Sequence, residues 1–391
     1  MKKNILSQLL VIGLLTISMT TVSAQSIQAN EANDIDLEIS TEDEKNDDKI
    51  ASKDEHKDIL TIKGLTRYDI RRDNVEGKKG ETKKSLLRMR LEPTLNLGDD
   101  WKIKNRVDVD INYKDRDEDH FYNRMLYLQG PAFGGTISLG KIDYADFANM
   151  EIGYGMIYDD YLKGGKFTYK DAKSDIVYTT AVGNFDSPHN DKNNGMLKNY
   201  PEYDAMHYVG LQAEIPMSDK LMTGVAYHNV RSGELEEIQQ ILEIANEYKF
   251  DNNFKLGAIY AMSNLDSSDY GLKDNNQEKA YVMQLNYKGI KRSEPNTFGT
   301  WVAYKNLGQL STFVPTYTNS FVGEKGFELG TKYVFAKNLT GEISYFNGKN
   351  IDKRRWRFSI RYCLAITTSR ISDYYDGDRK TFDCEIDSVL F

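Results

Sequence analysis

The chain has 391 residues, 51 Lys and Arg against 59 Asp and Glu, a net charge of −8 and two cysteines. That balance offers no basic face to nucleic acid, two cysteines cannot build a disulfide framework, and no stretch after the N-terminus approaches the ~20 apolar residues of a spanning helix. Any membrane-crossing part must therefore be made of strands.

In chain order, Lys2 and Lys3 precede an apolar run from Ile5 to Ile17, and Val22, Ser23 and Ala24 follow with the small side chains that signal peptidase accepts. Residues 1–24 are predicted to be a removable export signal. No cysteine stands at the cleavage point, which argues against a lipoprotein. Residues 25–58 lack aromatics, and between Ser26 and Asp58 stand 12 acids and 4 lysines. Such a segment cannot bury enough apolar surface to offset the entropy of ordering it. It is read as a disordered acidic periplasmic leader. The stretch 59–362 is then nearly neutral, yet dense in charges of both signs.

From Ile59 the pattern turns to period two. Leu60, Ile62, Gly64, Thr66, Tyr68 and Ile70 alternate with Thr61, Lys63, Leu65, Arg67, Asp69 and Arg71. The next segments are cleaner: Leu87, Met89, Leu91 and Leu95 oppose Arg88, Arg90, Glu92 and Thr94, and Ile103, Val107, Val109 and Ile111 oppose Lys104, Arg106, Asp108 and Asp110. Side chains on a strand point alternately to opposite faces, so each strand has an apolar side and an ionic side.

Strands are predicted near 59–71, 85–97, 101–114, 121–129, 136–141, 165–170, 175–184, 205–215, 220–230, 240–250, 254–263, 278–289, 298–305, 326–335, 339–346 and 355–362. That gives about sixteen, with 14 to 18 open. Leu235 to Tyr248 fits an amphipathic helix as well, because Leu235, Ile238, Leu242 and Ala245 fall at helical spacing. Several segments are longer than the usual strand of a soluble sheet and suit a tilted crossing of the bilayer. Aromatics such as Trp101, Tyr113, Phe254, Tyr260, Phe327 and Phe335 recur near the ends of apolar faces, where an interfacial girdle sits. Tight turns such as Gly98 to Asp100 and Asp251 to Asn253 alternate with long polar loops at 142–164, 185–204, 264–277 and 306–325. The expected fold is all-β: a transmembrane antiparallel β-barrel over 59–362, wide enough to hold water.

Asn123-Arg124 through Gln129-Gly130, then Gly134-Gly135-Thr136-Ile137-Ser138-Leu139-Gly140-Lys141, resembles the general-diffusion porins of Gram-negative bacteria. In that family an Arg opens a strand that ends in a glycine turn, and an FGT, a strand and an LG with a basic residue follow. Here an extra Gly sits inside the FGT, and Lys141 stands where Arg is commoner.

The resemblance implies an outer-membrane barrel of 16 strands, assembling as a homotrimer, inserted by the barrel-insertion machinery among outer-membrane lipid. It would pass ions and small hydrophilic solutes passively, without a cofactor. It also implies that the third long loop, 142–164, folds into the pore as a constriction, with Asp143, Asp146, Glu151, Asp159 and Asp160 facing a ladder of bases. That ladder would draw on Lys63, Arg67, Arg88, Arg90, Lys104, Arg106 and Arg124. The plain alternative is that these are solvated luminal charges on structural strands. The cell-wall-binding module that some family members carry has no counterpart before this barrel.

The resemblance weakens at the end of the barrel. Trp356, Phe358, Ile360 and Tyr362 look like a terminal strand, yet residues 363–391 follow without clean alternation. They are read as a periplasmic extension or a frameshifted tail, and whether Cys363 pairs with Cys384 stays open.

Two rival functions remain. A barrel enzyme needs a nucleophile near an oriented histidine. Among His56, His120, His189, His207 and His228, only His207 and His228 sit on adjacent predicted strands, and neither lies in a nucleophile motif, so no catalysis is expected. Asp108 and Asp110 share a face, but neighbouring bases neutralise them, and no metal site is expected. A structural or adhesive barrel with surface-binding loops has the same strand pattern, and only conductance separates it from a pore.

Overall fold

A computed structural model of the chain describes residues 59–75, 82–113, 119–185, 206–231, 238–270, 272, 276–316, 320, 322–350, 353–368 and 389–390. The signal at 1–24, the leader at 25–58 and Cys384 lie outside the described residues.

The strands are β1 (Leu60–Val75), β2 (Thr82–Gly98), β3 (Trp101–Asn112), β4 (His120–Ala132), β5 (Gly135–Ala145), β6 (Asp159–Lys170), β7 (Val177–Phe185) and β8 (Met206–Ser218). They continue as β9 (Leu221–Arg231), β10 (Gln239–Lys249), β11 (Phe254–Ser263), β12 (Lys279–Lys288), β13 (Phe298–Leu307), β14 (Lys325–Ala336), β15 (Leu339–Gly348), β16 (Lys353–Thr368) and a short β17 (Val389–Leu390). Each of the first sixteen is antiparallel to its sequence neighbours, and β16 returns to β1 in register from Leu60↔Thr368 to Val75↔Lys353. The result is a closed 16-strand antiparallel barrel with no helix among the described residues. Closure pairs the backbone of every spanning strand on both sides, which is what allows a sheet to stand in hydrocarbon.

The two faces of each strand differ as the sequence alternation requires. Leu91, Leu126, Val182, Leu242, Leu329 and Trp356 are exposed on the outside. The intervening residues, such as Arg90, Asp108, Gln212, Glu243, Glu328 and Arg355, are buried inside. The usual arrangement of a small protein is inverted: apolar side chains coat the exterior and the polar ones fill the interior.

Tight turns close one end. Asp99 and Asp100 adopt φ of 49° and 62°, and Asn338 a φ of 64°, left-handed conformations that Asp and Asn tolerate because their short side chains bond locally. At the β10–β11 turn the Asp251 carboxylate accepts hydrogen bonds from the Asn253 and Phe254 N–H groups at 2.7 and 2.8 Å. Those two bonds hold its carboxyl below the ordinary carboxylate range.

Several expectations change at their edges. Gln239–Lys249 is strand, not helix, pairing with β9 on one side and β11 on the other, while Leu235 lies outside the described residues. β16 continues beyond Tyr362 to Thr368, and Val389–Leu390 pairs with Ala365 and Ile366 on the flank that β15 leaves open. β5 runs on to Ala145 and β6 begins at Asp159, so the third long loop is 146–158 rather than 142–164. The physical reason is a change of partner: β4 stops pairing with β5 at Leu126↔Lys141, while β5 and β6 stay paired out to Ala145↔Asp159. Past Lys141 on β5 and Leu162 on β6 the hairpin has left its neighbours in the wall.

Candidate pore constriction

The inward side of β16 and β1 to β4 is an arginine wall. Asp108 on β3 is fully buried, and Arg90 donates to both its carboxylate oxygens at 2.9 and 3.3 Å. Arg88, Arg106 and Arg124 stand 3.7, 3.5 and 3.4 Å from the same carboxylate. Arg88 also makes a bidentate pair with Asp110, both bonds 2.7 Å. Further round, Arg355 chelates Asp73 with two 2.7 Å bonds, Arg71 lies 3.5 Å from the same group, and Asp69 takes Arg67 at 2.8 Å and Arg357 at 3.2 Å. Planar guanidinium forks meeting carboxylates two oxygens at a time give these pairs fixed geometry.

β5 and β6 bend across this wall. Tyr161, the cross-strand partner of Asp143, lies with its ring centroid 5.7 Å from the Arg106 guanidinium carbon. Strand parity puts Asp143 and Asp159 on that arginine-facing side and Asp160 on the reverse, beside its partner Tyr144. The reverse side is apolar: Ile142, Tyr144 and Leu162 pack with Ala181, Phe185, Tyr208 and Val230.

The loop 146–158 then lies against the opposite wall, β8 to β12. Phe147, Met150, Ile152, Met156 and Ile157 are buried with Ala226, Ile241, Ala245, Ile259 and Ala261. Gly224 and Gly257 allow the close approach: a Cβ on Gly257 would sit 2.5 Å from Ile152, and one on Gly224 2.7 Å from Phe147. Fully burying a side chain of this size contributes about 1.5–3 kcal/mol. Polar anchors fix the register. Gln212 accepts from the Phe147 N–H at 3.1 Å, Glu214 accepts from the Asn149 N–H and side-chain amide at 2.8 and 3.0 Å, and Glu247 accepts from the Ile152 and Gly153 N–H groups.

The site residues expected from sequence divide accordingly. Arg88, Arg90, Arg106 and Arg124 come together around Asp108, and Arg67 stands on the same wall, paired with Asp69. Lys63 and Lys104 lie on the same strands: Lys63 opposite Glu92, Lys104 opposite Thr94 and Tyr127. Asp146 and Glu151 do not face the arginines, which corrects their expected place. Asp146 is fully buried and accepts from the Tyr158 and Ile157 N–H groups at 2.7 and 3.3 Å; burial first, and nearby Glu243 second, push its carboxyl well above the usual range. Glu151 instead bonds Lys255 and Asn286 on the far wall. Both acids serve to seat the loop, because a buried carboxylate is tolerated only where donors satisfy it.

Gln212, Glu214, Glu243, Glu247 and Lys255, which hold the loop, escaped sequence reasoning. Their signal is the alternation of acids with small residues on one strand face, as in Glu243, Ala245 and Glu247, a face too small to fill a lumen alone. His207 and His228, on adjacent strands β8 and β9, have separate partners. His228 bonds Tyr208 at 2.8 Å and Glu243 at 3.3 Å in the interior, whereas exposed His207 bonds Asn184 at 2.6 Å.

No protein-family model and no curated protein matches the chain. Solved structures do. A variant of the Rh. blastica porin aligns at TM-score 0.51 and 13% identity, covering 78% of this chain and 99% of its own. A second variant of that porin aligns at TM-score 0.50 and 12% identity with the same coverage. An engineered protein described for asymmetric conductivity aligns at TM-score 0.51 and 14% identity, again over 78% of this chain. The chain thus has a general-diffusion porin-type fold: an all-β, closed barrel of sixteen antiparallel strands.

Proposed function

We propose that this barrel is a bacterial outer-membrane porin, passing ions and small hydrophilic solutes passively through a water-filled lumen. The observation that carries the reading is the arrangement across the barrel: an arginine wall on β16 and β1 to β4, and a third long loop seated on the opposite wall. Sixteen strands enclose more space than their own side chains fill. A loop laid along one wall narrows that space while leaving the charged wall to line it, and fixed charges across a narrow aqueous passage orient polar solutes.

The rest of the reading fits this one. Residues 1–24 export the chain, the exterior apolar band meets outer-membrane lipid, the insertion machinery places it, and three copies associate. The reading assigns no catalytic step, since the interior histidine His228 is engaged by Tyr208 and Glu243 with no nucleophile motif beside it.

Purified protein in a planar bilayer is expected to give discrete current steps that scale with salt concentration. Absence of any current would leave a structural or adhesive barrel. Heat-modifiable migration on semi-native gels would report both the closed barrel and its oligomeric state.

A further inference from the structure

The interior carries acids on both sides, but the two sets are not equally visible to a solute. On the arginine wall three guanidinium groups are more exposed than the aspartates they meet, and one acid, Glu92, 3.8 Å from Arg106, is itself 32% exposed. The Arg71, Arg88 and Arg124 side chains are 28%, 17% and 16% exposed, against 10%, 0% and 9% for Asp73, Asp108 and Asp110. Eight arginines meet four aspartates and Glu92 there: Arg67 and Arg357 on Asp69, Arg71 and Arg355 on Asp73, and the remaining four on Asp108, Asp110 and Glu92. The wall therefore carries excess positive charge and presents its positive layer outward.

On the opposite wall the order is reversed. Glu214, Glu243 and Glu247 are buried, and loop 146–158 lies over them. Glu214 and Glu247 are occupied by loop N–H groups, and apolar Phe147, Met150 and Ile152 fill the same layer. Glu151, on the loop itself, is turned to Lys255 and Asn286. Of the loop and hairpin acids, Asp143 and Asp159 are left on the arginine-facing side, and Asp159 accepts from the Tyr154 hydroxyl at 3.2 Å. At the short-turn end, a polar recess lined by Lys332, Arg361, Ser359 and Thr340 beside Glu342 repeats the same sign.

We propose that the seated loop screens the acidic wall, so that the open lumen is electropositive and favours small anions, inorganic or carboxylate, over cations of equal size. The inference rests on the pore reading above and adds the substrate class to it. A low-dielectric layer of loop side chains over the glutamates and an exposed guanidinium face opposite them focus a positive potential on the passage. A barrel with the same residues but no docked loop would expose both signs and discriminate little.

The test is the reversal potential of the full-length protein across a potassium chloride gradient in a planar bilayer. The chloride-to-potassium permeability ratio is expected above unity. The double variant Arg71→Gln with Arg124→Gln leaves Asp73 and Asp108 with Arg355 and Arg90, and it is expected to bring the ratio toward unity. The double variant Glu214→Gln with Glu247→Gln keeps a side-chain oxygen to accept each loop N–H, so the loop stays seated, and, altering only the screened side, it is expected to move the ratio much less. Current carried chiefly by potassium, or equal shifts from the two variants, would overturn the anion preference and leave the pore standing. No current at all would remove both.

Discussion

Arg90 and Asp108 form a bidentate pair in which neither side chain has appreciable contact with solvent, 2% and 0% exposed. Three further guanidinium groups crowd the same carboxylate within 4 Å. Asp108 is thus the counter-charge that lets like charges from three neighbouring strands share one side of the lumen, and removing one partner of a buried pair leaves charge uncompensated.

Asp108→Asn is accordingly expected to destabilise the barrel by about 3–5 kcal/mol, read as a lower urea midpoint in lipid vesicles. Adding Arg90→Met should cost less than the two single losses together, with a coupling of about 0.5–3 kcal/mol. Simple additivity would show that Arg90 is not the partner that matters.

Glu247 ties the loop to β10 through two backbone N–H groups. Each hydrogen bond to a charged group is worth about 1.5–3 kcal/mol, so Glu247→Ala should loosen the loop without opening the barrel. The expected record is noisier current with a larger mean conductance. Conductance and noise identical to the parent protein would mean that the loop does not limit flow.

Gly257 meets Ile152 where a Cβ has no room. Gly257→Val should cost about 1–3 kcal/mol by overpacking, and a second change, Ile152→Ala, should recover part of it. Failure of the second change to help would place the strain elsewhere in the wall.

Leu329 is 61% exposed near the middle of β14, on the outer face. Leu329→Arg should destabilise the protein in bilayers by about 2–4 kcal/mol, the cost of a charge at midplane depth. Equal stability of parent and variant in lipid would contradict the orientation of this face.

The sequence patterns that located the strands and those that missed the loop's seat differ in range. Leu87, Met89 and Leu91 against Arg88, Arg90 and Glu92 reveal β2 because lipid and water impose opposite chemistry on neighbouring residues. Residues 159–161, Asp-Asp-Tyr, lie beyond the β6–β7 pair Leu162↔Phe185 and lack that alternation, because the hairpin they join has left the wall and meets lipid on neither side. The seat of the loop is a relation between residues about 65 to 135 positions apart, such as Asn149 with Glu214 and Glu151 with Asn286, and no local period encodes it. A local run of acids, moreover, does not say which member is spent on backbone N–H groups, which is why Asp146 and Glu151 looked like lumen charges.

The seam between β1 and β16 has a kinetic consequence. Its ion pairs, Arg355 with Asp73 and Arg357 with Asp69, join residues 282 and 288 positions apart. They are contacts of the highest sequence separation, which pay their loop-closure entropy last. They can form only after the last spanning strand has been made, and only in one register, since a slip of one residue would turn the arginines toward lipid. Circularisation is thus proofread by electrostatics: a chain arrested before β16, or closed out of register, lacks the lock that holds the finished cylinder shut.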